Sequence, residues 1–295
     1  MLREYISILN RFSSAVSVKV PAIAVSLGLI LSARVSANVL SAAQTKETKS
    51  FEGFLDWCLA KDNLNPETKN TVEAILEQVG TDDCERAQRR IPALTRINLA
   101  SRQLSDLRPL ESLTNLGELI LYNNQISDLS PLASLTNLTS LQLGYNQISD
   151  LSPLASLTNL TLLGLVNNQI ADLTPLESLT DLSVLRLNSN QISDISSLSS
   201  LTDLTELYLS RNQIVDLSPL RSLTNLTQLD LSSNNITNVE PLGSLTNLTE
   251  LNLNRNQITN TRPLGNLTNL TELYLHNNPV AEQFCPNNPD ALCFL

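Results

Sequence analysis

The sequence predicts a right-handed α/β solenoid. One parallel β-sheet forms its concave side, an extended or 3₁₀ return forms its convex side, and a helical cap closes the N-terminal end. Three observations predict this. A phrase of the form LTNLTELxLxxNQISDLSPLxS recurs from Leu94 to Val280. Its asparagines, Asn124, Asn146, Asn168, Asn190, Asn212, Asn234, Asn256 and Asn278, each follow the last by 22 residues. Its leucines return in the same slots, and a further unit before them carries Arg102 in the asparagine slot. Self-similarity at a fixed short period means stacked coils, because one coil cannot bury its own apolar face.

The unit Leu138, Leu141, Leu143, Asn146, Ile148, Leu151, Leu154 and Leu157 shows how one coil is built. The Leu-x-Leu step has period two, so Leu141 and Leu143 share one face of a short strand. The later leucines come every third residue, as in a tight 3₁₀-like or polyproline-like return. Ser152-Pro153 fits the return, since proline fixes φ and donates no ladder bond. Twenty-two residues leave little room for a full α-helix there. Where the chain turns inward after the strand, backbone groups need partners. Each asparagine carries both donor and acceptor and can supply them, so the column reads as a structural ladder.

The motif LxxLxLxxNxI resembles the leucine-rich repeat. The longer phrase LTNLxxLxLxxNQISDLSPL is similar to the 22-residue class of the internalins and of the phosphatase-1 regulatory leucine-rich proteins. The likeness covers Leu94 to Val280. It implies a parallel-sheet solenoid and a mode of binding, in a bacterial, internalin-like setting.

Residues 1–43 read as a signal peptide and leader. Arg3, Arg11 and Lys19 precede an uncharged stretch from Val20 to Ala33. That length suits a signal-peptide core and is short for a membrane span. Small residues then place cleavage near Ala37 or Ala43, leaving no span in the mature chain. Residues 44–93 read as a helical N-terminal cap, with Phe51, Phe54, Leu55, Cys58 and Leu59 at helical spacing beside a core Trp57. A second helix begins at an Asn65 N-cap with Pro66 next and ends at Gly80. A third segment runs from Asp82 to Arg90. The array occupies 94–280. In the C-terminal cap, 281–295, Val280 with Phe284, Leu292, Phe294 and Leu295 is expected to cover the last coil.

Four cysteines lie two in each cap. Nine stacked strands at about 4.8 Å separate the caps by roughly 40 Å, which leaves Cys58–Cys84 and Cys285–Cys293. Zinc is the rival, but C-x-x-C is missing and His276 is isolated. Disulfides and leader together point to a secreted, periplasmic or cell-envelope protein.

Formal net charge is −10, and the array sets eight arginines and no lysine against sixteen carboxylates. That excludes nucleic acid and an anionic membrane surface as partners. Asp106, Asp128, Asp150, Asp172, Asp194 and Asp216 form a column that reads as turn-capping residues, with calcium as the alternative. Asn238 and Asn260 take the same slot without charge, which favours capping. The Asn-x-Thr sequons at Asn137, Asn159, Asn225, Asn247 and Asn269 read as repeat consensus. No phosphate loop, nucleophile elbow or histidine-centred triad is present. The reading is therefore non-enzymatic, with no catalytic residue, cofactor or metal.

Specificity is expected on the concave sheet, at the third, fifth, seventh and eighth positions of each unit. In the first half these bring Ile120, Tyr122, Tyr145, Leu162, Val166 and Val184. Clustered apolar residues there point to a covering partner. The second half brings Arg186, Glu206, Tyr208, Arg211, Asp230, Glu250, Asn252, Arg255, Glu272 and Tyr274, with acids on one margin, arginines on the other and tyrosines between. Tyr and Arg dominate binding hot spots. The expected partner is a protein. A glycan-contacting or structural envelope role is the alternative, and an intracellular regulatory scaffold stands behind it.

Overall fold

A computed structural model describes residues 51–281 and 292–294. All of them belong to one unit, Phe51–Leu295. The leader and cleavage sites expected from the sequence lie outside the described residues.

Three helices open the unit: α1 (Phe54–Ala60), α2 (Pro66–Val79) and α3 (Cys84–Arg90). Helix α2 starts and stops where its residues demand. The Asn65 side chain accepts from the Thr68 N–H at 2.8 Å, Pro66 follows, and Gly80 ends the helix at φ 74°. Cys58 and Cys84 form a disulfide that ties α1 to the start of α3. Phe54, Trp57 and Cys58 are buried, and Phe51, just ahead of α1, stacks on Trp57 at 3.9 Å. Leu59 departs from the expected core set: it is 65% exposed. Helix α1 is only two turns long, and its inward stripe is complete with Phe54, Trp57 and Cys58.

The cap stands where a preceding coil would stand. Asparagines of the ladder reach back 25 residues to a carbonyl of the coil before. The same step back from Arg102 lands on Glu77 of α2, and the two side chains pair through two hydrogen bonds. Thr71 Oγ1 donates to the Asp106 carbonyl at 2.6 Å, and Asn70 Nδ2 to the Arg102 carbonyl at 2.8 Å. Arg108 lies over the Trp57 ring at 5.4 Å. Two non-consensus residues of the first coil, Arg102 and Arg108, thus meet the cap beside the consensus Asp106.

Ten parallel strands then follow in chain order: β1 (Arg96–Asn98), β2 (Glu118–Ile120), β3 (Ser140–Gln142), β4 (Leu162–Gly164), β5 (Val184–Arg186), β6 (Glu206–Tyr208), β7 (Gln228–Asp230), β8 (Glu250–Asn252), β9 (Glu272–Tyr274) and β10 (Leu292–Phe294). Register advances by 22 residues per strand, as Leu141↔Leu163↔Leu185 shows. Short 3₁₀ segments such as Ser152–Ser156 and Ser218–Ser222 form the return, with proline in their first turn. The leucines of strand and return meet in one continuous core with essentially no exposure. Thr261 occupies a leucine slot of that core; it is buried, and among the described residues its hydroxyl has no hydrogen-bond partner.

The asparagine ladder carries the bonds expected of it. Asn146 Nδ2 donates to the Leu121 and Leu143 carbonyls at 3.0 and 2.9 Å, while its Oδ1 accepts from the Ile126 N–H at 3.1 Å. The aspartate column makes turn bonds: Asp128, Asp150, Asp172, Asp194 and Asp216 each accept the N–H two residues on, at 2.8–2.9 Å. Asn238 and Asn260 do the same at 3.0 and 3.1 Å.

The C-terminal segment adds a strand as well as cover. The alternation of β10 turns Leu292 and Phe294 away from the core, while Cys293 packs against it. Leu292 is 59% exposed, contrary to the covering role expected of it. Cys293 is disulfide-bonded; Cys285, Phe284 and Leu295 lie outside the described residues.

Candidate binding face

Strands β1 to β9 each bury a central leucine or isoleucine and turn their first and third residues to the other face of the sheet. The third and fifth positions therefore form two rows across the strands. One row reads Glu118, Ser140, Leu162, Val184, Glu206, Gln228, Glu250, Glu272. The next reads Asn98, Ile120, Gln142, Gly164, Arg186, Tyr208, Asp230, Asn252, Tyr274, Phe294.

The expected apolar patch falls into parts. Leu162 and Val184 are register partners and half-buried. Ile120 has Asn98 and Gln142 as its neighbours and does not adjoin Leu162. Tyr122 and Tyr145 form the most exposed part, at 41% and 45%, with ring centroids 5.0 Å apart and tilted by 55°. Gly144 makes room for them, because a Cβ there would sit 3.2 Å from the Tyr122 ring. Val166, half-buried, sits beyond Gly144.

The centre of the face is internally paired. Arg186 reaches Glu206 at 3.4 Å and covers the Tyr208 ring at 5.5 Å. The Tyr208 hydroxyl lies 2.6 Å from Gln228 Oε1 and 3.1 Å from Glu206 Oε2. Burial, then the Glu206 carboxylate, pushes the Tyr208 phenol above its ordinary pKa.

Beyond it the face is acidic. Asp230 Oδ1 accepts the Ser232 N–H at 3.0 Å. Tyr274 donates to Glu272 Oε2 at 2.6 Å, and that bond raises the Tyr274 pKa. Glu250 is held above the usual glutamate range by burial first, then by Glu272 and Asp230. Asn252 is half-buried in the same row. Tyr274 stacks on Phe294 at 4.8 Å, so β10 prolongs the aromatic edge of the row.

The eighth position holds a feature not read from the sequence. Ser101, Asn123, Tyr145, Asn167, Ser189, Arg211, Ser233, Arg255 and Asn277 all have φ between 55° and 62°. This left-handed residue swings the chain so that the asparagine after it points inward. Asparagine adopts the conformation at lower cost than bulky residues do. The run of Asn and Ser in that slot was the available signal. Tyr145, Arg211 and Arg255 are the large side chains held there, all exposed.

Also unread were three outer ladders that tie each coil to the one before. Asn137 and Asn159 donate to Thr114 and Thr136 carbonyls, both at 2.8 Å. Ser156 and Ser178 hydroxyls donate to Ala133 and Ala155. Thr139 and Thr161 hydroxyls donate to Gly117 and Thr139. The sequon asparagines thus have a structural task. Among the described residues no three His, Cys, Asp or Glu side chains gather as a metal-binding group. None of the described helices is long and apolar enough to cross a membrane.

A parallel-sheet solenoid with one variable face on a fixed frame defines a class of repeat protein used for binding. The family model for leucine rich repeats (two copies) matches in overlapping stretches from 92–134 to 246–288. The chain belongs to the leucine-rich repeat family. Among solved structures it is similar to an internalin (inlF) of Listeria monocytogenes, at 32% identity over 76% of this chain and 73% of that one, TM-score 0.64. It is also similar to internalin C2 of that organism, at 36% identity over 71% and 93%, TM-score 0.67. A leucine-rich repeat protein of Leptospira interrogans matches at 29% identity over 71% and 57%, TM-score 0.65. No curated protein matches.

Proposed function

We propose that this chain is an exported module that presents the sheet face of its repeats to a protein partner. The exposed Tyr122–Tyr145 pair carries the reading, because two large aromatic rings in contact on a fixed, half-buried face are a ready-made anchor. Residues 94–280 carry the face, while 44–93 and 281–295 seal the ends and 1–43 are removed on export. Export is supported by the leader in the sequence, the Cys58–Cys84 disulfide and the likeness to internalins. The disulfide disfavours an intracellular scaffold. A glycan platform needs open ring faces at Tyr208 and Tyr274, yet Arg186 covers the first and Phe294 stacks on the second.

The test is capture of a partner by the mature protein, then surface plasmon resonance on variants. Burying Tyr122 or Leu162 is worth roughly 1.5–3 kcal/mol each. Tyr122→Ala and Leu162→Asp should each weaken binding tenfold or more, chiefly through faster dissociation. Ser152→Arg, on the return side, should change nothing. Loss of binding in the Ser152 variant with retention in the other two would refute the face. Intact Met1 and free thiols in protein from its native compartment would refute export.

A further inference from the structure

We infer that the partner contacts this face through a segment that is apolar at one end and cationic at the other, laid across the strands from β3 to β8. The inference rests on the binding-face reading above and adds the chemistry of what binds. At the β3 end Tyr145 holds a left-handed backbone where Asn123 and Asn167 stand in the coils on either side. A ring kept in that conformation and left 45% exposed against Tyr122 is an anchor for an apolar side chain.

The centre offers no free charge, because Arg186 is taken up by Glu206 and Tyr208. The far end is the reverse. Asp230, Glu250 and Glu272 stand on the adjacent strands β7, β8 and β9. No arginine or lysine pairs with any of them among the described residues, and Glu250 makes no side-chain hydrogen bond there. Like charges on neighbouring strands oppose one another, and a cation placed over them relieves the repulsion. The chain's formal charge of −10 attracts the same sign of partner at long range. From β3 to β8 is five strand steps, about 24 Å at ~4.8 Å each. An extended segment covers that with about seven or eight residues.

The probes are synthetic 16-residue peptides titrated into the full chain by fluorescence anisotropy. One carries Leu-Trp-Leu and Lys-Arg-Lys separated by a seven-residue Gly/Ser spacer, made in both orders. A second replaces the cations by glutamate, and a third replaces the apolar trio by serine. The bipartite peptide should bind at least tenfold tighter than either control. Tyr122→Ala and Glu250→Lys should each weaken it tenfold or more, and Glu250→Gln less. The Glu250 effects should fade as salt rises to 0.5 M, since screening acts on the charge and not on the anchor.

Equal binding of the glutamate peptide, indifference to both Glu250 variants, or no binding at millimolar peptide overturns the inference. So does a self-dimer that Tyr122→Ala abolishes, which would place a second copy on the face. If Tyr122→Ala weakens binding while peptide charge is irrelevant, the inference falls and the binding-face reading stands. If Ser152→Arg abolishes binding and Tyr122→Ala does not, the binding face itself falls.

Discussion

At Asn146 one side chain joins two coils. Its amide donates to one carbonyl of its own coil and one of the coil before, and its oxygen accepts from a third backbone group. Asn146→Ala leaves these groups buried without partners, each costing about 1–3 kcal/mol. A loss of roughly 2–4 kcal/mol in urea unfolding is expected, whereas Asp150→Ala, on an exposed turn, should cost well under half as much. Glu250 gives the second residue-scale prediction. Its pKa is raised in the folded state by burial and by Glu272 and Asp230, so the folded chain binds that proton more tightly than the unfolded one. The ionised carboxylate therefore opposes folding above its folded pKa, and the penalty disappears as pH falls below the ordinary glutamate value. Glu250→Gln should raise the melting temperature at pH 7.5 and not at pH 3.5. An equal shift at both pH values would show that burial and like charge are not the cause.

At the scale of elements, the cap is the part not made by the repeat. Helix α2 docks on the first coil through Thr71, Asn70 and the Glu77–Arg102 pair, while α1 and α3 are held by one disulfide across 26 residues. Closing a loop of that length in the unfolded chain is worth about 3–4 kcal/mol. The double variant Cys58→Ala, Cys84→Ala should therefore lose about that much stability. Hydrogen exchange should rise first in α1, α3 and β1, with β5 to β7 unaffected, because neighbouring units carry most of the stability of a stack. Uniform acceleration across all strands would mean that the array melts as one body.

For the whole molecule the same nearest-neighbour logic makes length adjustable in whole coils. Deleting residues 157–178 joins Ser156 to Leu179 and restores the phrase, so the Asn ladder and the strand register survive. That variant should fold cooperatively with a urea m-value lower by roughly a tenth, in proportion to the surface lost. Deleting 157–167 breaks register and should leave the array unfolded by circular dichroism. Leu185 lies in the middle of the core with no exposure. Leu185→Asp should unfold the coils around it, since an unpaired carboxylate has no partner there; an unchanged unfolding transition would count against the stacked-coil core.

The sequence by itself determined the solenoid, the asparagine ladder, the turn role of the aspartate column and both ends of α2. Each is a local rule repeated: a period of 22, an alternation of two, a cap residue beside a proline. It also placed Leu162 and Tyr122 on one face, because alternation fixes the side of a sheet. Only the tertiary structure decided what happens on that side. Arg186 could have met a partner, yet it turns to Glu206 and Tyr208, and Ile120 is parted from Leu162 by polar neighbours. The left-handed turn that displays Tyr145, the room Gly144 leaves for Tyr122, and the strand Leu292–Phe294 alongside β9 were not legible either. The physical reason is that periodicity dictates which way a side chain leaves the backbone. Its neighbours come from other coils, and beyond Pro279, where the repeat stops, no period remains to say which strand the chain will pair with.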